Sequence, residues 1–254
     1  MILDQLTWPE VDAMPRDRTL VIGCVAATEQ HSRHLPLATD SLIGSAILQR
    51  LNGRLPDRTL ILPTVWLGCS HHHLDFAGSL STRWEHMLAT IRDISESVLH
   101  HGFRKLLWVN SHGGNQAVLA VAVQQLADAH KDATIVGATY WTVASKELNA
   151  LRQSPPGGIG HACELETSIM LAVAPHMVHM DRAEADGHQP ESEFSQGEML
   201  IPPRVTVPRP FKAFTHHGGF GDPTLATEAK GEQFLDAIVS RLQALCEDVL
   251  GDRV

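Results

Sequence analysis

Three features are missing from the sequence, and each absence removes a class of function. Cys24, Cys69, Cys163 and Cys246 are widely separated and form no Cys-x-x-C pair, so neither a zinc ribbon nor a dithiol redox motif is expected. Reduced thiols in a cytoplasmic protein are the simplest account. There is no dense run of lysine or arginine, and 29 acidic residues against 20 basic ones leave a formal charge of -9. Nucleic acid and anionic membranes both require a positive surface, so a small-molecule substrate is the expected partner. No apolar stretch approaches the length of a membrane span, and the first ten residues are too acidic and too short in apolar run for a signal peptide.

What is present is a hydrophobic content of 43% over 254 residues, enough for a sizeable core and for one domain over 1–254. Histidine is abundant, with sixteen in the chain. Of these, His31, His112 and His161 sit in patterned surroundings, whereas His176, His179 and His188 do not.

Thr19 to Ala27 is a continuous apolar run of strand length, as expected of a strand buried on both faces. It leads into Glu29-Gln30-His31-Ser32-Arg33-His34-Leu35-Pro36-Leu37-Ala38-Thr39-Asp40, after which Ile43, Ala46, Ile47 and Leu51 recur at helical spacing. The pattern repeats. A strand over 59–66 precedes a polar loop through Ser81 and a helix carrying Met87, Leu88, Ile91 and Val98. A third strand, Lys105 to Asn110, runs into Ser111-His112-Gly113-Gly114-Asn115 and a helix marked by Val118, Leu119, Ala122 and Leu126. A fourth strand spans 133–141. This alternation predicts an α/β fold, a doubly wound and mostly parallel sheet with helices on both faces.

Ligands of such sheets bind beyond the carboxyl ends of the strands, where three polar loops converge here. Glu29, His31 and Asp40 are candidate metal ligands, since carboxylate and imidazole suit zinc, manganese or iron. Asp40 is equally suited to capping the following helix. His112 has Gly113-Gly114 beside it, which permits close approach of a ligand. Three adjacent histidines, His71 to His73, point in different directions and cannot chelate as a set; His73 is a candidate pocket residue. After Ser154-Pro155-Pro156-Gly157-Gly158-Ile159-Gly160, a helix beginning by about Ala162 would place His161 and Glu164 on one face and leave Glu166 elsewhere, unless it starts later. Residues 176–225 lack periodicity and read as long surface loops with one or two short strands around Met199 to Val207. Thr227 to Leu250 reads as an amphipathic helix with Phe234, Ile238, Leu242 and Leu245 facing in.

Together, the Glu29 to Asp40 stretch, Asn110-Ser111-His112-Gly113-Gly114-Asn115 and His161-Ala162-Cys163-Glu164-Leu165-Glu166-Thr167-Ser168 resemble the creatininase, or creatinine amidohydrolase, family over roughly residues 20–232. Phe76-Ala77-Gly78-Ser79-Leu80-Ser81 and Gly221-Asp222-Pro223 look like further signatures. The resemblance implies a dinuclear site of two divalent metal ions, with Glu29, His31, Asp40 and His112 as ligands and Asp40 bridging, in a homo-oligomer, often a hexamer. Creatininase has a glutamate where this chain has Gly114, so Glu164 or Glu166 must supply the missing ligand. Ser32 also replaces the usual glycine, and Ala162-Cys163 the usual Ala-Gly. The match is closer to the branch of formamidopyrimidine deformylases and the mycofactocin-pathway peptidase than to creatininase itself. That implies hydrolysis of a C-N amide bond in a formamide, cyclic amide or short peptide, with true creatinine hydrolysis and a non-catalytic metal-binding scaffold as alternatives. His161 is the candidate acid for the leaving nitrogen, and Ser70, Ser111 and Asn115 are candidates for orienting substrate or water.

Overall fold

The computed structural model describes residues 1–254. Four strands, β1 (Leu20–Val25), β2 (Thr59–Ile61), β3 (Lys105–Asn110) and β4 (Thr134–Thr139), form one sheet in the order β2-β1-β3-β4. Every neighbouring pair is parallel, with Leu20 opposite both Thr59 and Lys105, and Lys105 opposite Thr134. Parallel neighbours require crossovers, and helices supply them: α1 (Trp8–Asp12) leads the sheet, α2 (Thr39–Arg54) links β1 to β2, α3 (Trp84–His100) links β2 to β3, and α4 (Gln116–Ala129) links β3 to β4.

Both faces of the sheet are covered, and the two-residue period of β1 divides its side chains between them. Leu20, Ile22 and Cys24 join a core with Ile43 and Ile47 of α2, whereas Val21 and Val25 pack with Met87 and Ile91 of α3 and Val118 of α4. All six β1 residues are buried, which is why β1 reads as an unbroken apolar run. Each large aliphatic side chain buried this way contributes roughly 1.5–3 kcal/mol. Gly23 is required at its place, because a Cβ there would lie 2.5 Å from the Trp108 ring.

Beyond β4 the chain forms α5 (Tyr140–Val143), α6 (Ser145–Leu151), β5 (Ile159–His161), α7 (Glu164–Val173), β6 (Phe220–Gly221) and α8 (Glu228–Leu250). β5 and β6 pair antiparallel as a separate small sheet. Phe234, Ile238 and Leu242 of α8 are fully buried in the same core as β1's Leu20 and Ile22. No helix is long and apolar enough to cross a membrane.

Four expectations are corrected by these elements. β2 stops at Ile61, short of Trp66, because its ladder with β1 ends there; only an isolated bridge joins Val25 to Val65. β4 gives way to α5 at Tyr140, so Tyr140 and Trp141 are helical. No strand lies in 199–207. Finally, α7 begins at Glu164, with Cys163 as its extended N-cap residue, so His161 ends a strand and does not share a helical face with Glu164.

Candidate metal centre

The ends of β1 and β3 deliver four side chains to one buried place. After β1 the chain folds back on itself, closed by the Glu29 amide donating to the Leu37 carbonyl at 3.0 Å. This turn needs a left-handed residue at Ser32, whose φ is 57°, which accounts for the glycine usual in the family at this position. The reversal aims both Glu29 and His31 inward, 1% and 0% exposed. Asp40 lies inside the first turn of α2, where Ala38 is the N-cap residue. Its carboxylate therefore reaches across to histidines and does not cap the helix.

Each oxygen of Asp40 faces a different imidazole: Oδ1 is 3.2 Å from His31 Nε2 and Oδ2 is 3.2 Å from His112 Nδ1. Glu29 Oε1 is also 3.2 Å from His112 Nδ1, and Glu166 Oε1 is 3.9 Å from His31 Nε2. Two groups of metal-competent side chains thus meet at one aspartate: Glu29 and His112 on one side, His31 and Glu166 on the other.

Both imidazoles are fixed from behind. The His31 Nδ1-H donates to the Glu29 carbonyl at 3.1 Å, and the His112 Nε2-H to the Cys69 carbonyl at 3.2 Å. With those protons assigned outward, the inner nitrogens present lone pairs to the carboxylates, the orientation typical of metal-bound histidine. Without a cation the cluster must hold protons instead. Burial alone would lower His31, but Asp40, Glu166 and Glu29 outweigh it and raise its pKa to about 9. Burial raises Glu166 to about 7, with Asp40 adding to the rise against the opposing pull of His31.

The donor set fits divalent metal. Three buried carboxylates are gathered around imidazoles with no lysine or arginine paired to them, and Glu29 Oε2 and Asp40 Oδ2 are buried without a hydrogen bond. His112 Nδ1 lies 3.2 Å from Asp40 Oδ2, but with the ring proton on Nε2 it has none to donate. A buried carboxylate left in that condition is costly unless a cation accompanies it.

Glu164 is not brought into this set. Its carboxylate accepts from Lys230 Nζ at 2.7 Å and from the amides of Gln153 and Ser154 at 2.9 and 2.8 Å. Of the two glutamates, Glu166 is the one that reaches His31 and Asp40. The start of α7 at Glu164 decides this, two residues later than expected. Gly114 cannot be replaced by the glutamate of creatininase in this framework, because a Cβ there would sit 2.1 Å from the Cys69 carbonyl oxygen and 2.6 Å from His112 Nε2.

The remaining candidates separate by position. His161 donates Nε2-H to the Gln30 carbonyl at 2.7 Å and turns Nδ1 toward Glu29 Oε1 at 3.9 Å. Burial, followed by repulsion from His31, lowers its pKa to about 3. His73 is buried and 3.3 Å from Glu29 Oε1 through Nε2, while its Nδ1 accepts from the Gln30 amide at 2.8 Å. Ser70 Oγ lies 3.3 Å from His112 Nε2, and Ser111 lines the cavity. Asn115 does not face the cavity; it joins the Ala26 carbonyl to the Cys69 amide and braces the loops behind the site.

A cavity of about 540 Å³ opens onto Glu29, Asp40, His112, Glu166 and His161. Two contributors lack any local sequence signal. Phe211, from the aperiodic segment, stacks on His73 at 4.1 Å and meets His161 edge-on at 4.9 Å. The stretch Glu198 to Pro203 forms another wall, anchored by the buried pair of Glu198 with Arg152. Gln30, inside the conspicuous motif but of a type that carries no metal-ligand signal, links His73 and the Gly218 carbonyl through its side chain and His161 through its carbonyl.

Residues 4–246 match the family described as Creatininase: Creatinine amidohydrolase. The mycofactocin precursor peptide peptidase of Mycobacterium ulcerans is 31% identical, with 95% of this chain and 91% of that protein covered. The creatinine amidohydrolase of Pseudomonas putida is 26% identical over 94% and 93% of the two chains. A mutant creatininase solved in its Zn-Zn type superposes with a TM-score of 0.80 at 25% identity, covering 97% of each chain. On the extent of these matches, and with the carboxylate and histidine positions where the motifs lead, the chain belongs to the creatininase family.

Proposed function

We propose that the protein is a dinuclear metal amidohydrolase that cleaves a C-N amide bond in a small molecule: a formamide, a cyclic amide or a short peptide. The observation that carries this reading is Asp40, poised between two histidines with one oxygen 3.2 Å from each. Glu29, His112 and Asp40 would hold one ion and His31, Glu166 and Asp40 the other. When bound, such a pair acidifies water and polarises a carbonyl.

The chain's own residues account for the proton movements. His161 is neutral near pH 7, because burial disfavours its charged form. It therefore enters the reaction as a base, with Nδ1 free and facing the cavity while Nε2 is held by Gln30. As water adds to the amide carbon, Nδ1 takes the water's proton; as the C-N bond breaks, the same proton passes to the departing nitrogen. Expulsion of an amine anion is thereby avoided. The candidate acid is thus a base first. Ser111 on the cavity wall and Phe211 above the imidazoles would confine the substrate.

The cavity wall carries no lysine or arginine, so a carboxylate or phosphate on the substrate would meet no cationic side chain there. The fixed loops around Gly114, too tight for a glutamate, separate this site from that of creatininase and favour amides other than creatinine.

The test is metal analysis of protein purified without chelator, followed by a screen of the loaded enzyme against creatinine, N-formyl amines, opened pyrimidine formamides and short peptides. About two ions per chain and release of formate, amine or amino acid are expected. Protein without metal, or loaded protein inert on every amide, would overturn the proposal; turnover of creatinine alone would replace its substrate assignment.

A further inference from the structure

The three consecutive histidines of the loop after β2 separate in the folded chain. His71 is exposed, stacks on Trp84 at 5.0 Å and shares a hydrogen bond with Ser81 Oγ at 3.0 Å. His73 is buried, with both nitrogens committed to Gln30 and Glu29. His72 remains. It lines the cavity, half-buried, and no hydrogen bond to protein engages its imidazole.

We propose that His72 is a further protein ligand of the ion held by Glu29 and His112, a role that rests on the metal-centre reading above. One ligand atom each from Glu29, His72 and His112 can be chosen so that all lie within 4.8 Å of one another. That spread suits ligands about 2 Å from a common ion, which stand roughly 3–4 Å apart. The His72 and His112 rings are stacked 5.6 Å apart and nearly parallel, at 17°, so the two imidazoles present their edges to one space. Of the two Glu29 oxygens, Oε2 is buried without a hydrogen-bond partner.

Gly114 makes this approach possible. A Cβ on residue 114 would fall 2.9 Å from His72 Cε1 as well as 2.6 Å from His112 Nε2. Absence of a side chain at 114 and presence of an imidazole at 72 are thus two halves of one local arrangement. Phe211 limits the ring from another side, with centroids 5.7 Å apart. In the third histidine of the run, His73, Nδ1 accepts from the Gln30 side chain and Nε2 faces Glu29, which leaves the middle residue as the one whose imidazole has no protein partner.

The consequence is an asymmetric pair of sites. One ion would have two imidazoles and two carboxylates, the other one imidazole and two carboxylates. Imidazole-rich coordination favours zinc and its later first-row neighbours, so the site with His72 should fill first and empty last.

The experiment is titration of chelator-stripped full-length protein with cobalt(II), following visible absorption and chelator competition, for wild type, His72→Phe and His71→Phe. Phenylalanine keeps the stacking on His112 and Phe211 while removing the nitrogens. Expected in H72F is weakening of the tighter of two sites by about tenfold or more, together with a changed absorption spectrum at that site and an unchanged second site; H71F should match wild type. Equal affinities and spectra in H72F and wild type would overturn the proposal. So would weakened binding with an unchanged cobalt spectrum, since that marks a packing role. His72→Asn is the second variant should H72F fail to fold. Wild-type protein that binds no cobalt would instead sink the metal-centre reading itself.

Discussion

Buried carboxylates occur in two regions of this molecule, and they are treated in opposite ways. Around the start of α7, Glu164 is matched by Lys230 at 2.7 Å, and nearby Glu198 by Arg152, with backbone amides of Gln153, Ser154, Gly157 and Ile159 satisfying the remaining lone pairs. At the carboxyl ends of β1 and β3, Glu29, Asp40 and Glu166 have imidazoles as their only nearby cationic partners. The first region is electrostatically complete as folded. The second is complete only with added protons or metal, and that difference is what distinguishes a brace from a reactive site. Glu164 and Glu166 make the contrast sharpest, two residues apart on one helix.

The largest expected effect comes from breaking the incomplete region. Asp40→Asn should strip the centre of its shared ligand and lower turnover by on the order of a thousandfold, the scale of several kcal/mol of lost transition-state stabilisation. Glu166→Gln should follow it in direction, with metal content falling below that of wild type. Glu164→Gln is the counterpart: metal content retained, thermal stability reduced. If E164Q and E166Q lose metal equally, the contrast between the two glutamates is wrong.

Next in size is the completed region. Glu198→Gln leaves the buried Arg152 guanidinium without its carboxylate, and removal of one partner from such a pair costs about 3–5 kcal/mol. A urea titration should register that loss while metal stoichiometry stays as in wild type. Loss of metal with unchanged stability would mean that the wall from Glu198 to Pro203 serves the centre directly.

The smallest effect is a pH dependence. His34 is fully buried beside Thr167, 2.8 Å from its hydroxyl, and burial, then repulsion from His31, lowers its pKa to about 4. Between the ordinary value of 6.5 and about 4, the unfolded chain binds a proton that the folded chain refuses. Stability contributed by neutral His34 is therefore present above pH 6.5 and lost as pH falls toward 4. In metal-free protein, urea midpoints of wild type and His34→Gln should converge over that window. Parallel curves would show that His34 is not held neutral by the fold.

Much of this was legible in the chain. β1 and β3 could be read because strands buried on both faces are apolar throughout, and α2, α3 and α4 because their buried residues recur at helical spacing. The rule placing ligands beyond the carboxyl ends of parallel strands then located Glu29, His31, Asp40 and His112. Two-residue β6 and the shortened β2 were not readable, since such short pairings depend on a partner and not on their own composition. Phe211 was invisible for a related reason: it reaches the cavity from a stretch without periodicity, held by contacts to Phe214 and the imidazoles.

By itself, then, the sequence determined the alternating α/β order and the strand ends from which the first four candidate ligands project, because hydrophobic periodicity is a local property. Tertiary structure alone decided between Glu164 and Glu166, through the start of α7 and through Lys230, which lies 66 residues beyond Glu164 in the chain. It also sorted the three histidines, leaving His71 on the surface and placing His72 and His73 on the cavity wall, His73 buried and hydrogen-bonded to Gln30. Whether a buried charge meets a permanent cation or is left to protons and metal depends on residues brought together from distant parts of the chain, and spacing along the chain cannot report that.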